Sequence, residues 1–151
     1  MKKSMELWGL VALRLVVGFG FAAHGYAKLG RGPAAFAAIL ATLGVPSPLP
    51  AAWATTLLEL GGGVLIMAGA FVRGLSLPLG AILAVAALGV HARYGFSSVR
   101  LRALTAAGAE FGPVGYEIDL LYLAALAALA LSQASPLSFG GWLARRKGSR
   151  T

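Results

Sequence analysis

Four stretches of this chain are apolar over about 17–25 residues, the length at which a helix crosses the hydrocarbon of a bilayer. They fall at about residues 7–28, 51–72 and 75–92, and from residue 119 toward residue 145. The fourth is the cleanest, because nothing between Asp119 and Arg145 carries a charge. Backbone groups in lipid must find partners within their own segment, so each stretch is expected to be a helix rather than an open strand. The expected fold is therefore all-α: one domain over residues 1–151, built as an integral membrane four-helix bundle.

Composition agrees with lipid as the solvent. Charged residues make up 12% of the chain, against about 25% in a soluble domain. The net charge of +8 would suggest nucleic acid on a soluble surface. Here basic residues cluster in tight loops and at the chain ends, where membrane topology uses them, so no nucleic-acid partner is expected. There is no cysteine, which excludes disulfides, thiol catalysis and cysteine-ligated clusters within the chain. Lys2 and Lys3 suggest a signal peptide, but Arg14 interrupts the apolar run, and an uncleaved first helix reads better.

The connections differ in kind. Gly30, Gly32 and Pro33 open the first, and Pro46, Pro48 and Pro50 close it. Between them AAFAAILATL is too short to span, which predicts a re-entrant or interfacial helix. The second turn is very short and holds Arg73. The third connection, residues 93–117, is long, basic at first (Arg93, Arg100, Arg102) and acidic later (Glu110, Glu117). Counting basic residues on each side favours both termini in the cytoplasm, so the expected location is the inner (cytoplasmic) membrane, multi-pass. Gly18 with Ala22, the Gly61-Gly62-Gly63 run, Gly80 with Ala84 and Ala124 with Ala128 would let helix backbones approach closely in lipid.

Ionisable groups within such helices are the candidate site, because charge inside a bilayer is costly. At about 1.5 Å per residue, with the cytoplasmic face as zero, Arg14 lies roughly 10 Å in, Glu59 about 20 Å, His91 about 24 Å and His24 about 25 Å. Tyr122 falls just inside the same outer boundary. Arg14, His24 and Lys28 share an arc of roughly 80° on the first helix, the face expected to point inward. An Arg14–Glu59 ion pair would span a height difference of about 9 Å. Each residue also has a structural reading: a buried ion pair for Arg14 and Glu59, snorkelling for Lys28, and hydrogen-bonded core positions for the histidines. Tyr26, Trp53, Tyr94 and Tyr116 read as an interfacial aromatic belt, and Arg145-Arg146-Lys147 as a topology anchor. No phosphate loop, dinucleotide fingerprint or nucleophile elbow is present, and no segment has metal-ligand spacing.

RLVVGFGFAAHGYAKL (residues 14–29) resembles the first-helix signature of the DoxX family of small four-helix membrane proteins. ELGGGVLIMAGAFVR (residues 59–73) is similar to that family's second-helix pattern, and GYEIDLLYLAALAALAL (residues 115–131) resembles the opening of its fourth helix. Where the family often ends in Gly-Pro-Gly and then Ser-Leu-Asp, this chain has QASPLSFGGWL, with no terminal acid. Its third connection also looks longer than usual. The resemblance implies a quinone- or quinol-linked membrane oxidoreductase, or a subunit of one.

The expected site follows from depth and resemblance together. His24, His91 and Glu59 would act as hydrogen-bonding and proton-relay groups. Arg14, Lys28 and Tyr122 would help hold the quinone. Two other readings stand beside it. One is a non-enzymatic membrane scaffold that recruits a soluble redox partner protein through the long third connection. The other is a haem b protein with His24 and His91 as ligands. A transporter would need more helices, and hence a homo-oligomer.

Overall fold

The computed structural model describes residues 2–132 and Ser138, with side chains from residue 7 onward. Helix α1 (Lys2–Arg31) leads into a short α2 (Pro33–Thr42), then α3 (Pro48–Ala68) and α4 (Val72–Ala86). Helix α4 continues through one π-helical turn (Ala87–His91) and one 3-10 turn (Ala92–Tyr94). An antiparallel hairpin of β1 (Leu101–Thr105) and β2 (Gly108–Phe111) comes next, and then α5 (Glu117–Leu131).

Among the described residues, three helices are long and apolar enough to cross a membrane: Leu7–Arg31, Pro48–Ala68 and Val72–Tyr94. These match the first three expected spans. Helix α5 begins where the fourth was expected, and its 15 described residues rise about 22 Å. The rest of the expected fourth span, the QASPLSFGGWL segment beyond Ser132 apart from Ser138, and Arg145-Arg146-Lys147 lie outside the described residues. The hairpin departs from an all-helical reading. The bilayer's demand for internally bonded helices applies only within lipid, so a connection outside it is free to pair as strands.

Local chemistry sets the helix ends. Pro33 and Pro48 sit in the first turns of α2 and α3, where a missing N–H is harmless. Gly44 and Gly69 close α2 and α3 at φ 72° and 70°. At both ends the next amide bonds back to the preceding turn, Val45 to the Leu40 carbonyl and Ala70 to the Leu65 carbonyl.

The tightest seam is α1 against α3. A Cβ placed on Gly63 would lie 2.5 Å from both the Ala22 nitrogen and the Gly18 oxygen. Gly18 abuts the Gly63 oxygen, and Gly25 the Leu60 backbone. With no hydrophobic drive between helices in lipid, such close backbone contact supplies the packing energy. Val17, Phe21, Ile66, Leu79, Leu126 and Leu129 form the core where α1, α3, α4 and α5 meet. Helix α2 packs on α3 through Ala37, Leu40 and Ala52. Large apolar side chains such as Trp8, Phe19, Leu77 and Leu88 remain on the outside.

Arginines mark the opposite end of the helices from α2. The buried Arg14 lies against Gly69, where α3 terminates. Arg73 donates from Nε to the Ala130 carbonyl at 3.0 Å and from Nη2 to the Ser132 carbonyl at 3.3 Å. Cations beside helix C-termini complement the helix dipole.

Candidate functional site

Two acid–base pairs sit at the end of the bundle nearest α2. Lys28, in the last turn of α1, donates to Glu59 Oε2 at 2.5 Å. Its ammonium also lies 4.5 Å from the centre of the Phe36 ring on α2, a cation–π contact. Glu59 is buried, and 22% of the Lys28 side chain is exposed. The Arg14–Glu59 pair expected from the sequence is not what forms. Gly69, which Arg14 touches, lies ten residues beyond Glu59, about 15 Å along α3. Arg14 thus belongs to the other end, and Lys28 takes its place.

The second pair joins His91 Nδ1 to Asp119 Oδ2 at 2.6 Å. Asp119 is buried in the first turn of α5, and 27% of the His91 side chain is exposed. His91 is the last residue of the π turn. A π turn inserts an extra residue into the helical register and rotates the residues after it, and such turns are frequent at functional sites. The segment after α4 holds the start of α5 in place. The Ser98 amide bonds to Glu117 Oε2 at 2.9 Å, the Ser98 hydroxyl bonds to the Gly115 carbonyl at 3.1 Å, and the Ile118 amide donates to that hydroxyl at 3.2 Å.

Tyr122 shares a helix face with Asp119, three residues on. Its hydroxyl lies against Gly20, and its ring meets Phe21 edge-on at 5.6 Å between centroids. That contact places Asp119 within about 8 Å in height of Lys28. Helix α2 and the residue that ends it connect the two pairs, because Phe36 of α2 underlies Lys28 and Leu43, just after α2, lies against Gly89, two residues before His91.

His24 joins neither pair and is exposed. The inward stripe of α1 is Arg14, Gly18, Phe21, Gly25 and Lys28, spaced four and three residues alternately. His24 lies at the rim of the arc that sequence geometry assigned to that face, and the glycine seam turns the rim outward. Sequence reasoning passed over Asp119. It was read as the charge bounding the fourth apolar stretch, although its spacing from Tyr122 would have placed both on one face.

Chemically, the site offers two carboxylates, each held by a base, beside an apolar bundle. The His91–Asp119 pair can hold a proton or pass it on, because a carboxylate on one ring nitrogen orients the imidazole and leaves the other available. Among the described residues, no group of three or more His, Asp or Glu side chains is placed to hold a metal ion.

No curated protein matches this chain, and no solved structure does. A model of the DoxX family matches residues 9–92, which run from early in α1 through α2 and α3 to just beyond His91, and the chain belongs to the DoxX family.

Proposed function

We propose that this membrane protein binds quinone or quinol and acts as an oxidoreductase, or as the membrane subunit of one. The supporting observation is the His91–Asp119 pair, half-buried at the π turn near the end of an apolar span. When bound, a quinone takes up two electrons and two protons to become a quinol. A quinone oxygen needs a hydrogen-bond donor, and the reaction needs a proton route. His91 donates a hydrogen bond or proton from Nε2 while Asp119 fixes the ring through Nδ1. Tyr122, on the same face as Asp119, adds a phenolic donor. Lys28 places positive charge near the site and, through Glu59, fixes the end of α1 against α3. Electrons come from a donor outside these side chains, either a partner protein or another bound group.

In this proposal the described spans and α5 complete a four-helix bundle with both termini in the cytoplasm of a cell whose inner membrane holds it. The two pairs then lie near the outer leaflet, the side set by the bias in basic residues.

The test is binding of a short-chain benzoquinone to the full chain in lipid nanodiscs, measured by calorimetry. His91→Gln and Asp119→Asn should each weaken binding at least tenfold while elution volume and helical circular dichroism stay unchanged. Wild-type affinity in both variants would overturn the assignment. A Soret band in the purified protein's absorption spectrum would replace it with the haem reading.

A further inference from the structure

The β1–β2 hairpin stands clear of the helices, and its pairing contains an irregularity with a consequence. Leu101 pairs with Phe111, but the next pairs are Ala103 with Glu110, Leu104 with Ala109 and Thr105 with Gly108. Arg102 is therefore the extra residue of a β-bulge. In a regular strand Leu101 and Leu104, three residues apart, would point to opposite faces. The bulge brings them to the same face, which is also the face of Ala109 and Phe111. Leu104 is 81% exposed, Phe111 59% and Leu101 58%.

The uncharged segment ALTAAGA fills the distal part, from Ala103 to Ala109, around a two-residue Ala106–Ala107 turn. The arginines are confined to the base. Arg100 bonds to the Tyr94 carbonyl, Arg102 lies along Gly112, and Arg93 stacks on the Tyr94 ring at 4.8 Å. Both ends of the hairpin rejoin the helices at helix ends. Its first end comes after Tyr94, the last residue of the third span, and its second leads into α5. A short neck ties the two ends together, with the Gly112 amide bonded to the Arg100 carbonyl at 2.8 Å and the Gly115 amide to the Ser97 carbonyl at 3.2 Å.

We infer that this hairpin is a lipid-binding element. Its apolar face of Leu101, Leu104, Ala109 and Phe111 lies in the headgroup layer of the membrane that the helices span, and the basal arginines meet lipid phosphates. An acidic protein partner would be met by cations along the hairpin, whereas beyond the Ala103–Glu110 pair the hairpin carries no charge, and the carboxylate of Glu110 lies on the face opposite Leu101 and Leu104. A bilayer interface takes up an apolar face flanked by cations. The strand edges keep access to interfacial water, which an unpaired two-stranded ribbon requires. Lipid binding by the hairpin does not depend on quinone binding in the bundle.

The chain has no cysteine, so single cysteines can be placed cleanly. Leu104→Cys and Thr105→Cys put a fluorescent label on opposite faces of one strand in the full-length protein. Both go into vesicles of phosphatidylcholine with a quarter phosphatidylglycerol. The label at residue 104 should be blue-shifted, quenched by lipids spin-labelled near the headgroup, and at least threefold less quenched by aqueous iodide than the label at residue 105. Equal iodide access at both positions would overturn the inference and leave the hairpin in water, free for a soluble partner. Shielding at residue 104 that disappears when the protein is diluted among excess vesicles would overturn it in favour of contact with a second copy.

Discussion

The two acid–base pairs differ in what holds them, and the difference separates architecture from chemistry. Lys28–Glu59 closes the α1–α3 seam, where Gly18, Gly25 and Gly63 bring two backbones into contact. Its cation is a lysine, and it is further engaged by Phe36. His91–Asp119 joins α4 to α5 through a π turn, where the helical register changes. Its base is an imidazole, whose two ring nitrogens let it hold a carboxylate on one side and offer a hydrogen bond on the other. A seam with no slack suits a lock. An imidazole on a register shift, with one ring nitrogen held by Asp119, suits proton exchange.

The largest expected effect breaks the lock directly. Gly63→Leu drives a side chain into the Ala22 and Gly18 backbone, which cannot move aside as a flexible side chain can. Its destabilisation should exceed the usual 1–3 kcal/mol, roughly, of core overpacking. Size-exclusion chromatography in detergent should show loss of the monodisperse species, and a normal profile would mean that the seam is not the organising contact.

Next comes Glu59→Gln, which leaves the Lys28 ammonium without its carboxylate. Breaking a buried pair costs about 3–5 kcal/mol, and the partial exposure of Lys28 puts this case near the lower bound. Thermal unfolding monitored by circular dichroism measures it. Combining Lys28→Met with Glu59→Leu should recover most of the lost stability, because apolar replacement of a whole buried pair is often neutral. No recovery would show that the pair's charge has a role beyond locking the seam.

Asp119→Asn should have the smallest effect on stability, about 1 kcal/mol, since an amide can still accept from the imidazole and His91 is partly exposed. The same thermal assay checks it. A loss as large as that of Glu59→Gln would erase the distinction and make both pairs structural.

Much of the fold was legible because lipid leaves few choices. The length and apolarity of residues 7–31, 48–68 and 72–94 dictate helices. Gly30, Gly32 and Pro33 before the short α2 and Pro46, Pro48 and Pro50 after it mark it off by turn chemistry alone. The Arg14-to-Leu29 and Glu59-to-Arg73 patterns also carried the family resemblance that the match over residues 9–92 supports. Rise per residue is nearly constant, so rough position along the helices could be reckoned from residue numbers. That reckoning placed Glu59 and His91 toward the same end.

Partner choice was settled only in three dimensions. Depth gives one coordinate, while pairing also needs rotation about each helix and the identity of the neighbour. The glycine seam set the rotation of α1, turning Lys28 toward Glu59 and His24 outward. The π turn set the rotation at the end of α4, so that His91 meets Asp119. The bulge at Arg102 gave the hairpin its single apolar face. Each of these is a shift of one residue or less in register. Hydrophobic periodicity is too coarse to record such a shift, and contact between neighbouring backbones decides it.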